Sequence, residues 1–439
     1  MNRSKLRAIL IAGMALFAMY FGAGNLIFPV MIGVEAGLNL RPALIGFILT
    51  GVALPILGMV AVATSSRGID GLSSRLGKIP GLVFTIVIFL STGMLYAIPR
   101  VATVSYEMTV KPMLEEGSSS SLPLLLYTAV FFPVAYAIAV NPKGMIDRIG
   151  KWLTPSLLTL LVAMIAATLW RGVNTAPTAA PTYQDGPLST GLILGYFTMD
   201  AIASLVFGLV IIQSLRQRGF TSGRSVFLGT VATGALAGTA LAAIYTGLAL
   251  IGVHVNGRGA SNGAEALTMA ANELFGRGGQ AVFGLIALLA CLTTAVGLLG
   301  ASSSYFQTLF PKIRRRHMVA IHVVVSFALA NLGLEAILAI VAPLNQLIYP
   351  IAISLIFVTL LDMPIPRQLF YSYRLPAAAA AVIGLGEALW STTLPVFAPL
   401  RAPLDALPLG SSHLPWVAPA LVALLVGLAL DFKSGARSK

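Results

Sequence analysis

The stretch that decides the fold is residues 21–29, FGAGNLIFP, near the middle of the first long apolar run. Two glycines and an asparagine interrupt this run, and Pro29 follows one turn later. Glycine weakens a helix interior by about 1 kcal/mol relative to alanine, and proline removes a backbone donor. The pattern predicts a helix that is broken at residues 22–25.

The composition around this stretch is that of a membrane protein. The 439-residue chain is 57% hydrophobic and 10% charged, with a mean hydropathy of +0.89, whereas soluble domains carry about 25% charged residues. Apolar runs long enough to cross a bilayer recur along the whole sequence. We predict one all-α integral membrane domain over residues 1–439 with about twelve transmembrane helices. The predicted spans are 6–33, 43–64, 81–106, 122–140, 152–170, 188–213, 226–253, 281–309, 318–332, 335–361, 375–394 and 415–432.

The basic residues predict the orientation of these spans. With the N-terminus in the cytoplasm, 21 of the 28 Lys and Arg residues fall in inner segments, six fall in outer segments, and Arg100 lies inside the third span. Short basic loops resist translocation, so this asymmetry favours a multi-pass protein of the inner (plasma) membrane with both termini cytoplasmic. The net charge of +13 is spread over many loops, which argues against nucleic-acid binding.

The same topology predicts an internal repeat. Helix 1 runs outward and helix 6 runs inward, so helices 1 to 5 (residues 6–170) and helices 6 to 10 (residues 188–361) would be related by inversion in the membrane. Helices 11 and 12 (residues 375–432) would be accessory.

A break in mid-membrane implies a binding site. Unwound backbone is tolerated there only where it is buried in protein or lines a polar cavity. Freed carbonyls can hold a cation, and the N-terminus of the second half-helix can receive a carboxylate. The alternative is that Gly22 and Gly24 only permit close helix packing.

Helix 6 contains a matching anomaly in residues 195–204, GYFTMDAIAS. Asp200 is an acidic residue in an otherwise uncharged span, where a carboxylate costs at least a few kcal/mol unless it is paired or hydrated. It could offset Na⁺, receive a substrate ammonium or carry a proton. The alternative is a structural carboxylate paired with Arg100 or a helix end.

Helix 8 carries adjacent hydroxyls in residues 290–294, ACLTT. Two threonine hydroxyls and a carbonyl from the preceding turn are hard oxygen donors that suit a small cation. The alternative is that they bond only to the carbonyls of their own helix or a neighbour.

As a set, these motifs resemble the branched-chain amino acid:cation symporter family, which carries Leu, Ile and Val into bacteria with Na⁺. The resemblance covers residues 21–29, 99–107, 198–208, 290–297 and 349–355. It implies the LeuT fold, a five-plus-five inverted repeat in which helices 1 and 6 are broken.

The resemblance, extended to the more distant neurotransmitter:sodium symporters, also implies the site residues. Na⁺ as the coupling ion would be held by the carbonyls of Ala18, Phe21 and Ala290 and the hydroxyls of Thr293 and Thr294. The expected substrate-binding residues are Ala23, Gly24, Asn25, Phe197, Thr198, Asp200 and Ala203.

We therefore predict a secondary transporter, not an enzyme, that imports Leu, Ile and Val with Na⁺ by alternating access. The aliphatic side chain would lie against Phe197, Ala203, Val206 and parts of helices 3 and 8. Arg100 and Glu387 are interpreted as structural, and the prolines around residue 345 predict a local distortion of helix 10. Alternatives are a proton-coupled or exchanging transporter that uses Asp200, a channel, and, least favoured, a membrane enzyme.

Overall fold

Helices are the only regular elements in the part of the chain that the computed structural model describes. The described residues are 3–65, 67–114, 121–172, 179–260, 262–366, 368–392, 394–412 and 414–433. Three of the basic residues counted above, Arg367, Arg437 and Lys439, lie outside them.

The first half of the chain supplies the first five predicted spans. Its α-helices are α1 (Arg3–Tyr20), α2 (Ala23–Glu35), α3 (Leu40–Ile48), α4 (Leu54–Thr64), α5 (Ile69–Ser73), α6 (Lys78–Leu90), α7 (Ala97–Thr109), α8 (Leu122–Ala139), α9 (Pro142–Arg148) and α10 (Thr154–Arg171). Wider π-helical turns at Leu49–Ala53, Ser91–Leu95 and Ile149–Leu153 lead from α3 to α4, from α6 to α7 and from α9 to α10.

The second half supplies the other seven spans. Its α-helices are α11 (Pro187–Phe197), α12 (Asp200–Gln217), α13 (Gly223–His254), α14 (Gly263–Phe275), α15 (Gly279–Leu309), α16 (Arg315–Ala330), α17 (Leu334–Asp362), α18 (Tyr371–Ser391), α19 (Arg401–Asp405) and α20 (Val417–Lys433).

Each predicted span overlaps one helix or a pair of helices. Spans 1, 2, 3 and 6 are the pairs α1 with α2, α3 with α4, α6 with α7, and α11 with α12. By length and composition, eight helical stretches of the described chain qualify alone as membrane-crossing, and nine do when α1 and α2 form one bent span. The helices at the other three predicted positions are α16, α18 and α20, of which α16 has 16 residues and α20 has 17.

The first helix is broken, but one residue earlier than predicted. α1 ends at Tyr20 and α2 begins at Ala23, with a bend of 69° between the two halves. Gly24 and Asn25 therefore belong to the first turn of α2 and are not unwound. The first amides of a helix have no partner within it, so this turn still offers free N–H groups.

The sixth helix is broken where the sequence places its carboxylate. α11 ends at Phe197, and Met199 adopts a left-handed conformation with φ of 60°. Such a conformation is uncommon for a residue other than glycine and stops the helix. α12 then begins at Asp200.

Small residues let the broken helices lie close to their neighbours. α1 and α2 both contact α13, whereas α11 and α12 contact α3 and α4. A Cβ added at Gly33 of α2 would overlap the Ala249 carbonyl of α13, and one at Gly191 of α11 would overlap the Ala43 carbonyl of α3. The absence of a side chain at these glycines permits the approach.

The sequence does not predict α14, a helix between the seventh and eighth spans. Asn262 caps it, its Oδ1 accepting a backbone amide at 3.0 Å. Glu273 near its end contacts Arg258 and lies 3.9 Å from Arg171 and 3.4 Å from His254. The hydrogen bond from Arg258 lowers the pKa of the Glu273 carboxyl. These contacts join α14 to the ends of α10 and α13.

The distortion predicted in helix 10 does not interrupt that helix. α17 runs through Pro343, Asn345 and Pro350 as one helix. A proline removes one intrahelical hydrogen bond, and a membrane helix tolerates this loss where neighbouring groups satisfy the freed carbonyl.

Candidate functional site

The two helix breaks meet through a side-chain hydrogen bond. Asn25, in the first turn of α2, donates from Nδ2 to Oδ2 of Asp200 at 2.8 Å. The same nitrogen donates to the carbonyl of Tyr20, the last residue of α1, at 2.6 Å. Both Asn25 and Asp200 are buried, so one amide connects both halves of helix 1 to helix 6.

Nearby backbone groups explain why helix 1 stops where it does. The Gly22 amide turns back to the Tyr20 carbonyl at 2.7 Å, and regular α-helical bonding resumes when the Leu26 amide bonds to the Gly22 carbonyl at 3.2 Å. The amides of residues 23–25 therefore lie at the positive end of the α2 dipole. This arrangement offers a binding surface for an anionic group.

Helix 6 presents its carboxylate at a similar helix end. Asp200 is the first residue of α12, and its amide lies 3.4 Å from Oγ1 of Thr198. The Thr198 hydroxyl also donates to the Gly195 carbonyl at 2.8 Å, which satisfies a carbonyl near the end of α11. A carboxylate at the start of a helix is stabilised by the helix dipole.

A cavity of about 330 Å³ lies against both breaks. Six of the seven predicted substrate residues line it, namely Gly24, Asn25, Phe197, Thr198, Asp200 and Ala203. The seventh, Ala23, is the first residue of α2. Val206 is fully buried and does not line this cavity, which corrects the prediction, because Ile202 and Phe207 present the apolar wall of α12 instead.

The predicted cation ligands form a cluster of oxygen atoms beside this cavity. Oγ1 of Thr293 lies 2.9 Å from each of the carbonyl oxygens of Ala18, Leu289 and Ala290. Oγ1 of Thr294 lies 3.4 Å from the Ala18 carbonyl. Leu289 and Ala290 lie inside α15, where their carbonyls also accept helix amides, whereas the Ala18 carbonyl is among the last four of α1, which lack an amide partner within their helix. This donor set of neutral, hard oxygens fits a small monovalent cation.

Thr294 belongs to both the oxygen cluster and the cavity. It also lies next to the helix 1 break, because a Cβ at Gly22 would be 3.3 Å from its hydroxyl. Phe21, the remaining predicted ligand, is the residue before Gly22 and is buried. Hydrogen-bonding distances therefore connect Ala18, Ala290, Thr293 and Thr294, and the Na⁺ site itself stays a prediction.

The surroundings of Gly22 and Gly24 bear on whether these glycines serve the break or only permit close helix packing. Gly24 faces only the ring of Phe28 on its own helix, and Gly22 faces the Thr294 hydroxyl. Close backbone packing, as at Gly33, describes neither of them. Gly24 therefore acts at the break and the cavity, whereas Gly22 both lies at the break and permits the close approach of α15.

The proposed pairing of Asp200 with Arg100 is not a direct contact. Within the described residues no ion pair involves Asp200, although Arg100 is near enough to interact with it electrostatically. Buried tyrosines, Tyr20 and Tyr245, also lie within electrostatic reach of the carboxylate. Asp200 thus has neutral groups around it and a cation at longer range.

The prediction that parts of helix 3 line the cavity is confirmed, but sequence reasoning missed the polar residues of that helix and the contribution of helix 10. Ser91, Thr92, Tyr96 and Arg100 line it from helix 3, and Asn345 lines it from α17. Ser91 also donates a hydrogen bond to Asn345. The signal that could have revealed this wall is Gly93, which lies six residues before Pro99 in the third apolar run.

A second cavity, of about 720 Å³, lies near the C-terminal end of α17. It is lined by Thr359 and Asp362 near the end of α17, together with Arg75, Arg216 and Arg224. The central cavity meets the same helix at its beginning, at Leu334 and Asn345. With a rise of about 1.5 Å per residue, Asn345 and Thr359 are roughly 20 Å apart.

Comparison with known proteins assigns the family. A sequence profile described as branched-chain amino acid transport protein matches residues 5–434. The chain belongs to this family. The branched-chain amino acid permease BrnQ of Corynebacterium glutamicum is 40% identical over 433 residues, which are 98% of this chain and 97% of that protein. The permease BraB of Bacillus subtilis is 35% identical, over 97% of this chain and 96% of that protein.

The fold is also found in a solved transporter structure. MHP1, a nucleobase-cation-symport-1 family transporter solved in a closed conformation with bromovinylhydantoin bound, superimposes with a TM-score of 0.59. The match covers 97% of this chain and 93% of that one at 15% sequence identity. The predicted fold class, an all-α integral membrane transporter, is confirmed.

Proposed function

We propose that this chain is a secondary active transporter that imports Leu, Ile and Val, coupled to Na⁺, by alternating access. The observation that carries the proposal is the Asn25–Asp200 hydrogen bond, which joins both helix breaks at the wall of one cavity. The names of the related permeases supply the substrate class.

In the proposed pose, the substrate backbone lies across the two breaks. Its carboxylate faces the first turn of α2, where Gly24 and Asn25 carry free amides, and its ammonium faces Asp200. The aliphatic side chain lies against apolar residues of the cavity wall. The lining residues suited to this role are Val101, Val104, Phe197, Ile202, Ala203, Phe207 and Leu298.

Na⁺ would be held by the carbonyls of Ala18, Phe21 and Ala290 with the hydroxyls of Thr293 and Thr294. The contact between α1 and α15 supports this assignment, since the Thr293 hydroxyl lies 2.9 Å from the Ala18 carbonyl at the end of α1 and 2.9 Å from the Ala290 carbonyl. A bound Na⁺ supplies the charge that couples transport to the membrane potential and ion gradient. These residues also join α1 to α15, so cation binding and the geometry of the helix 1 break are linked.

Alternating access would use the predicted inverted repeat. Both halves of helix 1 pack on α13 in the seventh span, and both halves of helix 6 pack on α3 and α4 in the second span. This is the reciprocal contact expected when helices 1 and 6, and helices 2 and 7, are related by the repeat. We propose that helices 1 and 6 move together against the other helices, in a bacterial inner membrane with both termini cytoplasmic.

A proton-coupled or exchanging transporter is the second candidate. The specific observation that favours it is the burial of Asp200 among neutral partners, without an ion pair in the described chain. A carboxylate in that setting is suited to gain and lose a proton during the cycle.

Uptake of radiolabelled leucine into proteoliposomes decides between the two candidates. Na⁺, Li⁺ and proton gradients are imposed separately, each at the same membrane potential. We expect a Na⁺ gradient to drive accumulation and a proton gradient alone to drive none. Accumulation driven by protons without Na⁺ would replace the sodium assignment with the proton-coupled one, and conductance far above carrier turnover would indicate a channel.

A further inference from the structure

Helix 3 is also broken, and its break faces the central cavity. Between α6 and α7, Gly93 leaves the helical conformation with φ of −99° and ψ of −129°, and Tyr96 has φ of −137°. A Cβ added at Gly93 would overlap the hydroxyl of Ser302 on α15. The direction of α7, which lines the cavity, is therefore set by a local irregularity and not by a continuous helix.

Hydroxyl groups from two other helices hold this break in place. Ser302 of α15 donates to the carbonyl of Phe89 at 2.9 Å. Ser326 of α16 donates to the carbonyl of Met94 at 3.2 Å. Since each freed carbonyl in a membrane must find a donor, these bonds make the break a fixed element of the fold.

The break brings Arg100 to the wall of the cavity. Its Nη1 donates to the Tyr96 hydroxyl at 3.0 Å, and its guanidinium carbon lies 5.4 Å from the centre of the Tyr96 ring. Within the described residues, Arg100 takes part in no ion pair. A guanidinium has five N–H groups, so the bond to Tyr96 leaves donors available to a molecule in the cavity.

Among the described residues that line the cavity, one is cationic and one is anionic, and the two form no ion pair. These are Arg100 and Asp200, and each is an expensive group to hold within a membrane. A zwitterionic amino acid carries the complementary pair of charges. The planar guanidinium matches a carboxylate through two parallel hydrogen bonds, a geometry that an ammonium group cannot offer.

We propose that Arg100 binds the carboxylate of the amino-acid substrate from the helix 3 wall of the cavity, while Asp200 faces the ammonium. The inference rests on the proposed function and adds a side chain to the carboxylate site at the start of α2. It makes Arg100 a specificity-determining residue that selects α-amino acids over amines, with Tyr96 holding its guanidinium in position.

Competition by substrate analogues tests the role of Arg100. L-leucinamide keeps the ammonium and the side chain of leucine but lacks its carboxylate, whereas 4-methylpentanoate keeps the carboxylate and lacks the ammonium. Each analogue competes with radiolabelled leucine in a counterflow assay, with Na⁺ at equal concentration on both sides of the proteoliposome membrane. This assay needs no assumption about the coupling ion.

For the wild-type protein we expect the inhibition constant of leucinamide to be at least about tenfold higher than that of leucine. A charge-assisted hydrogen bond contributes about 1.5 kcal/mol or more, which corresponds to about tenfold in affinity. In Arg100→Gln, the inhibition constant of leucine should rise by roughly tenfold or more while that of leucinamide stays unchanged, so the preference disappears. Arg100→Lys, which keeps the charge without the fork, should retain part of it. Arg41→Gln, which removes an exposed arginine of α3 away from the cavity, should leave the preference intact.

Equal changes in the inhibition constants of leucine and leucinamide in Arg100→Gln, or no change in either constant, would overturn the inference. If that variant gives no counterflow, the same ratio is read from ligand-induced shifts of its unfolding temperature in detergent. A wild-type protein that neither exchanges leucine nor is stabilised by it would overturn the proposed function itself. Wild-type exchange with a preference that survives in Arg100→Gln would overturn only the role of Arg100.

Discussion

Asp200 contacts Asn25 through a single hydrogen bond of 2.8 Å and sits at the start of α12. A neutral amide and a helix dipole together offset only part of the cost of a carboxylate in the membrane, since a helix dipole is worth up to about 2 kcal/mol. The substrate ammonium can supply much of the remainder. Asp200 therefore gains more from substrate binding than a carboxylate that is already paired would.

Substitution of Asp200 by Asn tests this relation at nearly constant size. We expect initial rates of leucine uptake to fall at least about tenfold, because a charge-assisted hydrogen bond to the ammonium is worth roughly 1.5–3 kcal/mol. The matched control is Asp70→Asn, which alters an exposed carboxylate of α5 outside the cavity and should keep the wild-type rate. Wild-type rates in Asp200→Asn across the neutral pH range would show that the carboxylate has only a structural role.

The hydroxyls of Thr293 and Thr294 make a separate prediction about the cation. The double variant Thr293→Ala, Thr294→Ala should raise the Na⁺ concentration for half-maximal uptake by about tenfold or more, because it removes two of five proposed oxygen ligands. Thr233→Ala is the control, since within the described residues that buried hydroxyl bonds to the Gly229 carbonyl of its own helix, at 2.8 Å, and to no other helix. Unchanged activation by Na⁺ in the double variant would exclude this site.

These site residues could be predicted because each one stands out from an apolar run. Asn25 and Asp200 are polar where a membrane helix is normally apolar, and adjacent threonines at mid-span are distinctive in combination. Ser91 and Thr92 could not be found in this way, since isolated hydroxyl residues are common in membrane helices and bond to their own carbonyls. Their role depends on the direction of α7, which only the packed structure gives.

The helices differ in how far their irregularities could be predicted. Paired glycines with a proline one turn later predict the break in helix 1, which begins one residue and ends three residues earlier than the predicted range of 22–25. Helix 3 has only Gly93 at its break, and its irregular geometry depends on Ser302 and Ser326, which lie more than 200 residues away in the sequence. Contacts of that range cannot be derived from local propensity.

The close contact between α2 and α13 predicts that a larger side chain at Gly252 strongly destabilises the protein. A Cβ at this position would overlap the Val30 carbonyl of α2, and a backbone atom cannot move aside as a side chain can. We expect Gly252→Leu to destabilise the protein by roughly 3 kcal/mol or more, the upper end of the cost of overpacking. A lower unfolding temperature in detergent, with less monodisperse protein, is the measured result.

The control for this variant adds the same side chain where space is open. Gly223, at the start of α13, has no heavy atom within 4 Å of an added Cβ. Gly223→Leu should therefore keep the wild-type unfolding temperature. Equal destabilisation by both variants would mean that the close approach of α2 to α13 is not what Gly252 provides.

For the whole molecule, the proposed orientation predicts which introduced cysteines a thiol reagent can label from each side of the membrane. Cys291 is buried, so a Cys291→Ala background can carry single new cysteines at two exposed glycines that have open space around them, Gly223 and Gly278. With both termini cytoplasmic, Gly278→Cys should react with a membrane-impermeant thiol reagent in intact spheroplasts. Gly223→Cys should react only after the membrane is permeabilised. The reverse pattern would invert the topology.

At the same scale, hydropathy was enough to predict where the long helices lie, because the bilayer sets the length of a membrane-crossing helix. It could not predict α14, whose 13 residues are too short to cross a membrane and which is fixed by the ionic contacts of Glu273. Sequence reasoning of this kind finds helices by apolar runs long enough to cross a membrane. A shorter helix such as α14 has no such run.

Thr294 occupies both the wall of the cavity and the cluster of cation ligands. A side chain shared in this way makes the two occupancies thermodynamically interdependent, and such interdependence is reciprocal. For the proposed ligands, the factor by which Na⁺ raises the affinity for leucine must equal the factor by which leucine raises the affinity for Na⁺. A substitution at Thr294 that weakens the effect of Na⁺ on the affinity for leucine must weaken the effect of leucine on the affinity for Na⁺ by the same ratio, whichever ligand binds first.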